Sequence, residues 1–228
     1  MPQLIYYGHS CFLIQDQNTR LLIDPYLTEN AGIHIDVQQI KADYILLTHA
    51  HRDHLGDAIV LAKQNDATII APHELAGYCE NNRCKTHSMN IGGSCAFPFG
   101  KVKMTIAHHS SGVKTGQNFS YMGNPCGFLV TISGKTLYHA GDTGLFGDMK
   151  LIGELHCIDV ALLPIGDRYT MGIDDAVKAA DFLQPKVVVP MHYNTFEEIH
   201  IDVHEFEAKV SAIGLRAVVM NLNDTLDY

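Results

Sequence analysis

The chain has 228 residues, a length suited to a single α/β domain or two closely packed halves. With 46% hydrophobic and 18% charged residues it can bury a large core, which excludes disorder over any long stretch. The net charge is −9, and the densest basic run is two lysines around Val102, so nucleic acids and anionic membrane surfaces are poor candidate partners.

Leu4–Tyr7, Cys11–Gln15 and Arg20–Asp24 read as three strands joined by turns, the second turn built on Asp16-Gln17-Asn18-Thr19. Tyr44–Thr48 is a short, continuously apolar run of the kind found in buried strands. Apolar residues at helical spacing over Leu55–Asn65 predict a helix, followed by a strand at Ala67–Ala71. A less regular region with Gly92, Gly93, Pro98 and Gly100 leads to a strand at Lys101–Ala107. Gly127–Ile132 and Thr136–Ala140 form a hairpin around Ser133-Gly134-Lys135. A strand at Ile158–Pro164, a helix at Asp174–Leu183 and a strand at Lys186–Pro190 follow. A helix at Val203–Ile213 and a strand at Leu215–Met220 close the pattern. Each half runs strand–turn–strand to an aspartate, NTRLLIDP in one and GKTLYHAGD in the other. The expectation is two β layers with helices outside, a four-layer αββα sandwich, with residues 1–228 forming one domain because no linker divides them.

Six cysteines lack any C-x-x-C pair, and several lie in apolar runs where a reduced cysteine behaves as a small hydrophobe. Cys79, Cys84 and His87 could form a structural zinc site, but the hydrophobe reading is preferred. The opening residues have neither a charged n-region nor a long apolar h-region, and no run reaches membrane-spanning length. A reducing cytoplasm is the expected compartment.

Histidine is the outlier, with 14 residues against 16 lysines and arginines together. Four ligand-type side chains, His49, His51, Asp53 and His54, fall within six residues directly after the Tyr44–Thr48 strand. His49 and His51 are two apart, so in extended backbone they leave on the same side. Asp53 and His54 diverge at the start of the following helix, where an aspartate is also a natural cap. One pair can serve one metal ion while the other serves a neighbour, as in two-metal hydrolytic sites.

The segment THAHRDH resembles the H-x-H-x-D-H signature of the metallo-β-lactamase superfamily. The resemblance extends through YGHSCFLI, LLIDPY, AHHSSG, NPCGFLVTISGKTLYHAGDTG and VVVPMHYN. It is nearest to the bacterial branch of metal-dependent hydrolases related to ascorbate-6-phosphate lactonase. The resemblance implies that His49, His51 and His109 hold one metal ion, that Asp53, His54 and His192 hold a second, and that Asp142 bridges both. Independently, His109, Asp142 and His192 each follow an apolar strand, VKMTIA, TLYHAG and VVVPM. Of the adjacent pair His108 and His109, the family pattern selects the residue directly before Ser110 and Ser111. His139 reads as a packed or supporting histidine. The donor set suits two divalent ions, zinc with manganese or iron(II) as alternatives. Diiron redox members typically carry glutamate where this chain has His51, which favours hydrolysis.

The function implied is hydrolysis of a small ester, lactone or phosphoester through a metal-bound hydroxide. Asp53 is the catalytic candidate for orienting the nucleophile. His9 is a second, for substrate contact or proton transfer, with a structural hydrogen bond as its alternative role. Asp24 and Thr48 would support ligand geometry from behind. Lys114, Asn118, Tyr121 and Asn124, with Arg168 and Tyr169, are the loop residues where substrate contacts are sought. The partner expected is a small molecule, and a homo-oligomer is compatible. The competing readings are a phosphodiesterase or nuclease of the same fold, and a metal-bearing binding protein without turnover.

Overall fold

The computed structural model describes residues 1–17, 19–30 and 35–228, so Asn18 of the expected turn lies outside the described residues. In chain order the first half contains β1 (Gln3–Tyr6), β2 (Phe12–Asp16), β3 (Thr19–Ile23), β4 (Tyr44–Leu46), α1 (Arg52–Leu55), α2 (Ala58–Asn65), β5 (Thr68–Pro72), α3 (His73–Asn81) and β6 (Lys85–Met89). Then come β7 (Ser94–Phe97), β8 (Gly100–Ile106), β9 (Gly112–Thr115), β10 (Asn118–Tyr121), β11 (Cys126–Ile132) and β12 (Lys135–His139). The chain closes through α4 (Met149–Leu155), β13 (Val160–Pro164), α5 (Ile173–Leu183), β14 (Val187–Met191), α6 (Val203–Ala212) and β15 (Thr225–Asp227).

The strands form one sheet in the order β15-β1-β2-β3-β4-β5-β6 and a second in the order β14-β13-β12-β11-β8-β7, with β9 and β10 paired as a separate hairpin. Period-two alternation explains the layering. On β2, Phe12 and Ile14 enter the core between the sheets while Leu13 faces the helices; on β13, Val160 and Leu162 face inward and Ala161 and Leu163 outward. Leu61 of α2 and Leu75 of α3 cover the first sheet, and Ala176 of α5 and Phe206 of α6 cover the second. The αββα order follows, because both faces of the central strands are apolar.

The β11–β12 hairpin turns on Ser133 (φ 49°) and Gly134 (φ 77°), with Ile132 opposite Lys135. Two consecutive positive φ values are what a tight two-residue turn between twisted strands demands.

Several elements depart from the sequence expectation. The helix expected over Leu55–Asn65 is split at Gly56, where φ is +37° and a Cβ would lie 2.3 Å from the Pro25 carbonyl oxygen. Asp57 then binds the loop after β3, accepting from the Leu27 amide (3.0 Å), the Thr28 amide (2.9 Å) and the Thr28 hydroxyl (2.6 Å). Residue 53 is not the cap; His51 holds that position and Asp53 lies in the first helical turn. The stretch between β5 and β8 contains three further elements: α3, which buries Leu75, Ala76 and Cys79 at helical spacing, β7, whose burial alternates, and β6, whose polar, half-exposed residues carry no clear period. The strand expected at Leu215–Met220 makes a single bridge, Val188 to Ala217, and the chain instead adds β15 beside β1.

Asp159, just before β13, ties the second sheet together at its lower edge. Its buried carboxylate accepts from the Thr136 amide (2.9 Å), Lys186 Nζ (2.7 Å) and Lys135 Nζ (3.4 Å). Burial pushes its pKa up, but the Lys186 and Thr136 contacts outweigh this and hold it below the usual carboxylate value. The stabilisation is therefore complete above the unfolded-state pKa and is lost as pH falls through the lower folded-state value. Asp159→Asn is expected to cost about 1.5–3 kcal/mol at pH 7. Urea midpoints measured across pH should show that gap constant above about pH 5 and closing below about pH 3.9.

Candidate metal centre

Strand ends from both sheets meet at one edge of the sandwich. The β1–β2 turn brings His9, the end of β3 brings Asp24, and the residues after β4 bring Thr48, His49 and α1. The second sheet supplies His109 after β8, Asp142 after β12 and His192 after β14. His9, Asp24 and His192 adopt left-handed backbone, at φ 56°, 44° and 55°. Such conformations in residues other than glycine cost free energy and collect at functional sites. His9 and His192 are also joined through backbone, the His192 amide donating to the His9 carbonyl at 3.0 Å.

Among the described residues ligand-type atoms fall into three groups, each within 4.8 Å internally. One of them, Asp24 with His49 and His54, is tied up by the hydrogen bonds that Asp24 accepts from Thr48 and His54, and two remain. His49, His51 and His109 form one, with His51 Nδ1 lying 3.0 Å from His49 Nε2 and 3.3 Å from His109 Nε2. His9, Asp53, His54 and His192 form the other. Asp142 lies between them. Its Oδ2 is 3.0 Å from His192 Nε2, 3.2 Å from His54 Nε2, 3.6 Å from His109 Nε2 and 4.0 Å from His49 Nε2. All seven residues read from the sequence as ligands thus converge. His108 does not: it is exposed and stacks on Phe146 with centroids 4.9 Å apart.

The buried Asp24 sets the state of two rings. It accepts from the Thr48 amide at 2.8 Å, from the Thr48 hydroxyl at 2.6 Å and from His54 Nδ1 at 2.8 Å. Neutral His54 therefore carries its proton on Nδ1 and turns Nε2 toward Asp142, 3.2 Å away. Burial opposes a charge on this ring, but without a cation the Asp142 and Asp24 charges outweigh it and raise the pKa well above the usual histidine value. Nε2 is then protonated, and a bound cation would take that proton's place. Thr48 has spent its own proton on Asp24, so its oxygen accepts from His49 Nδ1 at 3.0 Å. That leaves a lone pair on His49 Nε2, facing His51 and His109. The supporting carboxylate is thus what aims two imidazole lone pairs into the cluster.

His139 has an equally definite tautomer. Its Nδ1 accepts from the Gly141 amide at 3.1 Å, so its Nε2 carries the proton and donates to the Ser10 carbonyl at 3.1 Å. The fully buried ring links the loop of His9 to the turn of Asp142 through these two hydrogen bonds.

Charge and burial oppose one another throughout the cluster. Burial alone would raise the pKa of Asp142, but His192 and His54 hold it well below the usual range. Asp53 is likewise depressed against its burial by His54, His192 and His9. Burial drives His49 well down, so its ring is neutral, and pushes His9 down to about 4. His192 is raised to about 9 because the Asp142 charge outweighs burial.

Two contributors were not visible in the sequence. The Thr195 hydroxyl lies 2.6 Å from His9 Nδ1, and Phe196 packs edge-on against the same ring. His9 Nε2 lies 3.2 Å from Asp53 Oδ2, and a carboxylate only accepts, so the proton sits on Nε2 and Thr195 donates to Nδ1. Of the loop residues considered for substrate, Lys114 lines a cleft beside His51, and Asn118 and Tyr121 lie on the adjacent hairpin strand. The Tyr121 hydroxyl donates to Asn124 Oδ1 at 2.6 Å. Arg168 lies over Tyr169, and neither lines the cleft. Among the described residues Cys79, Cys84 and His87 form no ligand group: both cysteines are buried and His87 packs on Phe97. No helix among the described residues is long and apolar enough to cross a membrane.

A family model described as a beta-lactamase superfamily domain matches residues 3–192. The chain is 53% identical over 207 residues to a UPF0173 metal-dependent hydrolase of Geobacillus sp. (strain WCH70), covering 90% of this chain and 92% of that one. A UPF0173 metal-dependent hydrolase of Bacillus velezensis is 52% identical over 228 residues and 99% of each chain. Among solved structures, Igni18, a metallo hydrolase from the hyperthermophilic archaeon Ignicoccus hospitalis, superposes with a TM-score of 0.90 at 37% identity, over 100% of this chain and 99% of that one.

Proposed function

Because the chain belongs to the beta-lactamase superfamily, among its UPF0173 metal-dependent hydrolases, we propose that it holds two divalent cations and cleaves a small ester, lactone or phosphoester. The observation that carries this reading is the pair of ligand groups facing each other across one buried carboxylate oxygen. The donor set fits such ions. His192 Nδ1 and Asp142 Oδ1 are buried without hydrogen-bond partners, and the Nε2 atoms of His54 and His192 crowd the same Asp142 oxygen at 3.2 and 3.0 Å, a costly arrangement that a cation among them would relieve.

His49, His51 and His109 would hold one ion, Asp53, His54 and His192 the other, with Asp142 common to both. Imidazole and carboxylate donors without sulfur suit zinc, and also manganese or iron(II). When bound, the ions supply a hydrolytic nucleophile at neutral pH and polarise the bond to be cleaved. The chain's own contribution is to fix protons. Asp53 is more open to solvent than Asp142, with side chains 25% and 3% exposed, so it is the carboxylate that can orient an incoming water. His9, kept neutral by burial, donates from Nε2 to Asp53 and is held in that tautomer by Thr195. His9 in this role is a proton-holding partner of Asp53. Residues 1–228 are proposed to act as one domain, supported by an inter-sheet core that includes both Leu4 and Tyr228. A cytoplasmic setting is proposed on the six cysteines, all free.

Elemental analysis of protein purified without chelators or a metal-binding tag is expected to give about two zinc or manganese ions per chain. Chelation should abolish hydrolysis of simple esters and lactones, and metal addition should restore it. One ion or none per chain after reconstitution would overturn the two-metal reading, and two irons would reopen redox chemistry.

A further inference from the structure

Beside the metal centre lies a cleft of about 510 Å³, of a size that ordinarily holds a small organic ligand. His51 belongs both to this cleft and to the His49–His51–His109 group, so whatever fills the cleft abuts the reacting centre. The walls are mostly apolar: Tyr26 from the loop after β3, Leu55 from α1, and Val113 and Phe119 from the β9–β10 hairpin. Much of the charge nearby is already used. Arg52 pairs with Glu29, and the Asp57 carboxylate accepts from two amides and a hydroxyl of residues 27 and 28. Lys114 is exposed.

The hairpin is the second observation. It pairs only with itself, outside both main sheets, and it carries Phe119 at 70% exposure and Tyr121 at 64%. Of the two, Phe119 lines the cleft, and a large aromatic side chain left in water beside an apolar cleft is unusual unless something covers it. The base of the hairpin is anchored to the ligand segment, since Ser111 Oγ accepts from the Ala50 amide at 3.2 Å.

We propose that this cleft receives an apolar acyl or aryl group of the substrate, gripped between Leu55 and Phe119, so that the enzyme prefers esters and lactones with apolar chains over short or strongly polar ones. The proposal rests on the hydrolase reading above and specifies its substrate class. Hydrolysis adds water across the acyl–oxygen bond, giving a carboxylic acid and an alcohol, and needs no further reactant.

The test uses the zinc-loaded protein with p-nitrophenyl acetate, butyrate, hexanoate and octanoate. Each methylene buried in the cleft should raise kcat/KM by about fourfold until the cleft is full. Phe119→Ala and Leu55→Ala should each flatten this gradient, whereas Leu151→Ala, on an exposed face of α4, should leave it intact. In parallel, binding of butan-1-ol, hexan-1-ol and octan-1-ol to chelator-treated protein is measured by calorimetry, with affinity expected to rise along the series and to fall in Phe119→Ala. A flat ester series, or alcohols binding without chain-length dependence, overturns the cleft assignment. Graded alcohol binding with no carboxylic ester turned over at all would keep the cleft's apolar preference and overturn its assignment to an ester or lactone substrate.

Discussion

Asp142→Asn is expected to reduce kcat/KM for a simple ester by ~10³ or more and to leave at most one metal ion per chain, the effect predicted for losing the carboxylate proposed to serve two cations when an outer-shell partner alone costs roughly 10–100-fold. The reason is its position. One oxygen of Asp142 lies within 3.0–4.0 Å of His192, His54, His109 and His49, which come from both ligand groups. Its pKa, held well below the ordinary range by His192 and His54, shows that the surroundings demand a negative charge there. Asparagine keeps the shape but removes the charge that faces these rings. Elemental analysis and ester kinetics on the same preparation separate the outcomes. Two ions and wild-type turnover would remove Asp142 from the centre. His108→Ala, adjacent to the ligand candidate His109 but stacked outward on Phe146, should keep both metal and activity.

The candidate centre was legible because its proposed ligands are written next to strands. The THAHRDH segment places four donors on one turn, and YILLT announces the strand that delivers them. His109, Asp142 and His192 lie close to the ends of runs apolar enough to be read as buried strands. The sandwich was legible for the same reason, since both faces of β2, β4, β5 and β13 are apolar. What escaped was polar, local or tertiary. The β6 strand KTHSM lies at a sheet edge and is half exposed, so no alternation marks it. The break at Gly56 answers to the Pro25 carbonyl, 31 residues earlier, and only the folded chain brings the two together. Thr195 reaches His9 across 186 positions of sequence, a contact that no spacing encodes. The final strand was sought at Leu215–Met220 on apolarity, yet the backbone pairs through Thr225–Asp227, where Gln3 can also bond to Asp227 at 3.1 Å.

The second large effect belongs to a residue outside the proposed ligand set. Asp24→Asn is expected to weaken the site holding His54 by about 10–100-fold while changing a single atom. In the native protein both carboxylate oxygens accept, from the Thr48 amide, the Thr48 hydroxyl and His54 Nδ1. An asparagine can keep its oxygen toward the Thr48 amide, but its NH2 group then faces two donors. Relief requires the Thr48 hydroxyl to rotate and His54 to move its proton to Nε2. A protonated Nε2 has no lone pair for a cation, and it would lie 3.2 Å from Asp142 Oδ2, binding the carboxylate that the cation needs. The rotated Thr48 hydroxyl also ceases to accept from His49 Nδ1, so the fault spreads to the first ligand group. Zinc titration against a chromogenic chelator measures the loss directly. Wild-type affinity in Asp24→Asn would mean that the tautomer of His54 is set by something other than Asp24. Asp24→Ala is a harsher change, leaving two buried donors of Thr48 and one of His54 without an acceptor. It should lower the stability of the metal-free protein by about 3–5 kcal/mol, whereas the asparagine protein, which keeps the left-handed backbone at this position well tolerated, should lose less. A larger defect in metal binding than in folding for Asp24→Asn, and the reverse order for Asp24→Ala, is the pattern that identifies proton placement as the residue's task.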